Sequence, residues 1–140
     1  MSTGVLAVVD IGGAFLNADM VDKVPVHMRL DRTMSEFLVT LNPSYAAYVD
    51  DRGGLTVKLN KTLYGCVESS GLWYVNFRAT MWGLGYKRND MDVCVFNKLN
   101  SKGVQCTVTL HVDDLLIMSE SSGMIKELID GLVGRYGVIS

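Results

Sequence analysis

The chain has 140 residues, with 13 Lys and Arg against 15 Asp and Glu, giving a formal net charge of −2. Apolar residues make up 49% and charged residues 20%, which excludes a disordered chain and supplies one core, but not two well-developed ones. No run approaches the roughly 18 apolar residues of a membrane-spanning helix, the start lacks the basic and apolar parts of a secretory signal, and the acidic balance offers nucleic acid no general attraction.

Val5-Leu6-Ala7-Val8-Val9, ending at Asp10, reads as a strand buried on both faces. Gly12-Gly13 breaks it, and Ala14-Phe15-Leu16-Asn17 looks like a turn or a helical start. Residues 24–30 alternate around Pro25 as an edge strand. Thr33 or Ser35 is expected to cap a short helix through Phe37-Leu38, with a turn at Asn42-Pro43-Ser44. Asp51-Arg52-Gly53-Gly54 is a second turn, before a strand at residues 55–59.

The spacing of Leu72, Trp73, Val75, Phe77, Ala79, Met81 and Leu84 predicts a helix after Glu68-Ser69-Ser70, closed by Gly83 and Gly85. Residues 93–99 and 104–112 form a hairpin around Asn100-Ser101-Lys102-Gly103, and Leu115-Leu116-Ile117-Met118 is a further strand. Ser121-Ser122 begins a last helix whose Ile125, Leu128, Ile129, Leu132 and Val133 share one face. Antiparallel strands with two main helices make an α+β domain. Cys66, Cys94 and Cys106 lack Cys-x-x-Cys spacing and read as buried free thiols in a reducing compartment. The eight methionines read as gap-filling core. Trp73 and Phe77 are assigned to the core, His27 to the surface, and Lys58, Lys61 and Lys126 to a solvated face.

Two acidic sites interrupt strands that otherwise avoid charge. Asp10 ends the first strand, and Asp113-Asp114 forms the tip of a tight hairpin, with Thr107, Thr109, His111 and Asp113 on one face and Val108, Leu110 and Val112 on the other. If the first strand pairs beside that hairpin, three carboxylates converge at one sheet end. Like charges so close repel unless a cation sits between them, and hard oxygen ligands suit Mg²⁺. Val49-Asp50-Asp51 repeats the tripeptide Val112-Asp113-Asp114, but Arg52-Gly53-Gly54 follows it, so an ordinary turn accounts for it. At Asp113-Asp114 no Gly, Pro or Asn follows, and two acids between apolar strands need a partner.

Asp10-Ile11-Gly12-Gly13-Ala14-Phe15-Leu16-Asn17-Ala18-Asp19-Met20 resembles the first catalytic motif of copia-type retrotransposon reverse transcriptases. Leu63-Tyr64-Gly65-Cys66-Val67-Glu68-Ser69, with Leu72-Trp73-Tyr74, resembles their template- and nucleotide-contacting motif, and His111-Val112-Asp113-Asp114-Leu115-Leu116-Ile117 their catalytic hairpin. Phe96-Asn97-Lys98 and the last helix follow in order, so the resemblance runs over nearly the whole chain. It implies a reverse-transcriptase palm, a ferredoxin-like antiparallel sheet with helices packed on one face, and a partial fingers insertion at about residues 20–64. The thumb and ribonuclease H domain are expected to lie outside residues 1–140.

The implied activity is RNA-directed DNA polymerisation, a two-metal nucleotidyl transfer to a primer 3′-hydroxyl with two Mg²⁺ ions, or Mn²⁺ in their place. Carried over by residue, Asp10 and Asp113 are expected as principal metal ligands, Asp114 as a supporting one, and the backbone near Ile11 as a further oxygen. Gly12, Gly13, Ala14, Phe15, Tyr64 and Gly65 are expected on the nucleotide side. The resemblance implies that Phe15 lies under the incoming sugar and excludes a 2′-hydroxyl, and that Gly65 lets the backbone approach the templating base pair. His111 and Val112 are expected at the primer. Implied partners are template and primer, deoxynucleotides and the rest of a retrotransposon polyprotein, with no membrane. Localisation is expected to be intracellular, in the cytoplasm or a virus-like particle, and the apolar content leads us to expect self-association. Gly12 stands where relatives commonly have Lys, His111 replaces the usual Tyr, and Gly71 replaces an often basic or polar residue. Two other readings remain open: a non-catalytic palm descendant acting as an interaction module and, more remotely, another palm-fold enzyme such as a nucleotidyl cyclase.

Overall fold

The computed structural model describes residues 3–20, 25–137 and 139–140. In chain order its elements are β1 (Val5–Asp10), β2 (His27–Leu30), α1 (Arg32–Leu41), β3 (Leu55–Lys58), α2 (Ser69–Gly83), β4 (Lys87–Arg88), β5 (Val95–Leu99), β6 (Gln105–His111), β7 (Asp114–Ser119) and α3 (Ser122–Tyr136). Short 3-10 helices cover Ala14–Asn17 and Pro43–Tyr48. Asp19–Lys61 forms one compact unit, and the remainder of the chain forms the other.

In the larger unit, five strands make one sheet in the order β1-β7-β6-β5-β4, with every pairing antiparallel. Alternation gives each strand an inward row: Val9 on β1, Leu115 and Ile117 on β7, Val108 and Leu110 on β6, and Phe96 on β5, all buried. Trp73, Phe77 and Met81 of α2 and Leu128 and Leu132 of α3 close over that row in a single cluster. Phe77 meets Phe96 edge-on at 5.6 Å, and Trp73 meets Tyr136 at 5.2 Å. Ser121 caps α3 by accepting from the Met124 N–H. Trp73 and Phe77 thus lie in the core as expected.

Some expectations need correction. β1 is an edge strand with one open face: Leu6 is 60% and Val8 70% exposed, because they share the uncovered side of the sheet with Met118 and Leu116. Continuous apolarity here marks an uncovered sheet face, not burial on both sides. Only Cys106 among the cysteines is buried, and burial pushes its thiol up. Met81 and Met124 fill the core, whereas Met34 and Met91 are exposed. The residue 93–99 strand starts later, at Val95, because the Asp92 carboxylate accepts from Cys94 N–H and holds a turn there. Strand β4 carried no apolar signal and was not foreseen.

Within Asp19–Lys61, β2 and β3 pair antiparallel. Val24, the start of the expected second strand, lies outside the described residues. The cap of α1 is Asp31, which accepts from Met34 N–H, in place of Thr33 or Ser35. Ser35 instead accepts from Leu55 N–H while donating to the Asp31 carbonyl. Asp50 makes the turn expected of its tripeptide, accepting from the N–H groups of Arg52 and Gly54 and from the Arg29 guanidinium at 2.8 and 3.0 Å. That guanidinium holds the Asp50 carboxyl well below the usual carboxylate range.

A carboxylate triad at the sheet end

Asp10 closes β1 and lies opposite Asp114, the first residue of β7. His111 and Asp114 pair across the β6–β7 hairpin, leaving Val112 and Asp113 as a two-residue loop. Val112 has φ 59°, the only positive φ outside glycine among the described residues. Positive φ at the first loop residue alone is the pattern of a type II′ turn, a place that favours glycine, so valine there is strained. The turn is held from below: the Trp73 indole N–H donates to the Val112 carbonyl at 2.6 Å. On the β1 side, Ile11 N–H donates to the Asp113 carbonyl at 3.0 Å, and Asp10 exchanges backbone hydrogen bonds with Ser140.

These constraints bring one carboxylate oxygen from each of Asp10, Asp113 and Asp114 within 4.8 Å of one another. Asp10 and Asp113 are half-buried and Asp114 is exposed. Three carboxylates this close make a hard, anionic donor set that fits a divalent metal such as Mg²⁺.

Around the triad, Ile11 and Ala14 are fully buried, and Gly12 and Gly13 are exposed. Gly13 adopts φ 61°, which turns the chain into the 3-10 helix bearing Phe15. Thr62 hydroxyl donates to the Phe15 carbonyl and fixes that turn. Tyr64 stacks on Phe15 with ring centroids 4.2 Å apart and donates its hydroxyl to Asp113 Oδ2 at 2.7 Å. Partial burial, that hydrogen bond and the charges of Asp113, Asp10 and Asp114 push the Tyr64 phenol up to about 12. Gly65 follows with φ 92°, His111 is exposed, and Val112 is 48% exposed. Sequence reasoning placed Tyr64 on the nucleotide side but missed its bond to Asp113, and it missed the Trp73 contact. Both join residues about forty or more apart, for which no local pattern is a signal.

An antiparallel sheet backed by two helices, with a carboxylate triad at one strand end, defines a mixed α/β domain with a candidate divalent-cation site. The family model described as reverse transcriptase (RNA-dependent DNA polymerase) matches residues 3–138, and the chain belongs to that family. Its curated relatives are retrovirus-related Pol polyproteins of plant transposons, in keeping with the copia-type resemblance of the motifs. One from transposon TNT 1-94 of Nicotiana tabacum is 35% identical over 74 residues, 53% of this chain and 6% of the relative. Those from transposons RE2 and RE1 of Arabidopsis thaliana are 24% identical over 92% of this chain and 28% over 63%, covering 8% and 6% of their own lengths. The chain thus spans less than a tenth of these polyproteins. Among the described residues, no helix is long and apolar enough to cross a membrane.

Proposed function

We propose that this chain is the catalytic palm of an RNA-directed DNA polymerase within a copia-type retrotransposon polyprotein. The observation that carries the reading is the meeting of Asp10 with Asp113 and Asp114 within 4.8 Å, from segments a hundred residues apart in sequence. Asp10 and Asp113 are the principal metal ligands in this reading and Asp114 a supporting one, with the backbone near Ile11 as a further oxygen. When bound, two Mg²⁺ ions, or Mn²⁺, supply the positive charge that an in-line displacement at phosphorus needs at its attacking and leaving oxygens.

The chain's own contribution is positioning. The β1–β7 pairing and the Trp73 bond to the β6–β7 turn set the carboxylates in place before substrate arrives. Phe15 carries the sugar of the incoming deoxynucleotide and leaves no room for a 2′-hydroxyl. Gly12, Gly13, Ala14, Tyr64 and Gly65 line the nucleotide side, with Gly65 admitting the templating base pair, and His111 and Val112 face the primer end. Residues 20–64 are read as a partial fingers insertion in a palm of ferredoxin-like type; the separate compactness of Asp19–Lys61 supports this. Template, primer, deoxynucleotides and the rest of the polyprotein are the partners, inside the cell or a virus-like particle.

Mn²⁺ binding followed by electron paramagnetic resonance tests the site directly. Asp10→Asn and Asp113→Asn should each weaken binding at least about tenfold, because each removes a charged ligand. A titration unchanged in both variants would overturn the reading. Primer extension on an RNA template, abolished by Asp113→Asn, would establish the activity.

A further inference from the structure

Phe15 is only 6% exposed, and the Tyr64 ring covers it, stacked 4.2 Å away and 14° from parallel. Tyr64 itself is 53% exposed. It belongs to the stretch between Thr62 and α2, which contains no helix or strand. The next residue, Gly65, stands at φ 92° with nothing within 4 Å of where a Cβ would lie. At its other end the Tyr64 side chain donates to Asp113 Oδ2. One residue therefore engages two groups that the proposed reaction needs: the ring face meant for a sugar, and a carboxylate meant for a cation.

We propose that Tyr64 is an internal ligand that closes this site and is displaced when substrate and metal arrive. This rests on the metal-site reading above and goes beyond it, because it makes the two loading events share one side chain. A cation held by the Asp113 carboxylate would repel the hydroxyl hydrogen already donated to Oδ2, so the hydroxyl leaves. Once the hydroxyl leaves, the stacking on Phe15 is the remaining contact described for the ring. Loss of either contact weakens the other, so cation binding promotes opening of the Phe15 ring face, and by linkage sugar binding promotes cation binding. Little resists the movement, since the outer side of Tyr64 faces water and Gly65 lets the backbone turn.

Tyr64→Phe keeps the stack and removes only the competing hydroxyl. Its Mn²⁺ affinity should rise about fivefold, the worth of one partly exposed hydrogen bond. A second measurement follows the opening itself: in chain labelled with ¹³C-tyrosine, the Tyr64 ring resonance, assigned by its loss in Tyr64→Phe, should begin ring-current shifted by Phe15 and move toward the free position as Mg²⁺ is added. Equal or weaker Mn²⁺ affinity in Tyr64→Phe, or a ring resonance that stays stacked at saturating Mg²⁺, overturns the proposal. Asp113→Asn separates the two readings. If that variant binds Mn²⁺ as the parent does, the metal site itself is misassigned; if it loses binding while Tyr64→Phe gains nothing, only the role of Tyr64 fails.

Discussion

The Trp73 indole N–H donates to the Val112 carbonyl at 2.6 Å, which ties the core helix α2 to the loop that carries Asp113. Trp73 is buried among the core aromatics, so the carboxylate loop is anchored to the packed core of the domain. Trp73→Phe should keep much of the packing but leave that carbonyl without its partner, costing about 1–3 kcal/mol. Urea unfolding reads the stability, and a Mn²⁺ titration should show weaker binding as the loop loosens. Unchanged metal affinity would mean that the hairpin holds Asp113 unaided.

Val112 stores strain at φ 59° with its side chain 48% exposed. Val112→Gly relieves a cost of order 1–3 kcal/mol and incurs roughly 0.5–1 kcal/mol of added chain entropy. The variant should therefore be more stable by about 1 kcal/mol, read from the urea midpoint. A less stable variant would show that valine packing at the loop outweighs its backbone strain.

The triad was legible in the sequence because charge in an apolar strand is conspicuous and because Asp10 and Asp113-Asp114 both fall at strand ends. The contrast with Asp50-Asp51 was legible too: glycines follow that pair, and its carboxylate does bond the turn. Periodicity located α2 and α3 because each buries a stripe. It failed for β1, where an apolar run on an open edge looks like a buried strand, and for β4, whose Lys87 and Arg88 carry no apolar pattern. The α1 cap was misassigned because Asp31, Thr33 and Ser35 are all competent capping residues, and backbone geometry selects among them.

The raised Tyr64 phenol gives a dependence at high pH. Its folded value, about 12, lies above the ordinary 10.0, so between these values the unfolded chain has released a proton that the folded chain keeps. Stability from this group is full below pH 10 and falls as pH rises through 12. The parent should lose more stability than Tyr64→Phe across that window, measured by urea unfolding at several pH values. Parallel curves would show that the Tyr64 hydroxyl is not in contact with the carboxylates in solution.

Asp50 gives the opposite sign. Its carboxyl is depressed below the ordinary 3.8, first by the hydrogen bond from Arg29 and then by the Gly54 N–H. Its contribution is present above pH 4 and is lost as pH falls below that. Asp50→Asn should remove this acid sensitivity and speed amide exchange in the paired strands β2 and β3, read by hydrogen exchange against pH. Exchange that matches the parent at neutral pH would show that the turn residues Gly53 and Gly54 suffice.

The uncovered side of the sheet carries Leu6, Val8, Leu116 and Met118 as one apolar patch beside the outer edge of β1. Water against such a patch is unfavourable, and the backbone groups of an edge strand offer pairing to another chain. The chain alone should therefore self-associate as concentration rises. Leu6→Lys places a charge on the patch, beside Met118 in register and four residues from Asp10, and should shift the solution mass toward the monomer without weakening Mn²⁺ binding at the Asp10 end of the strand. Nucleic acid should not substitute for that association: at a net charge of −2 the chain has few cations to neutralise phosphates, so primer–template binding at moderate salt should be weak and polymerisation slow. Sedimentation at a series of concentrations and duplex binding at two salt concentrations check both halves. A monomer at every concentration that binds duplex tightly, with a steep salt dependence, would show that the domain presents a basic surface strong enough to act alone.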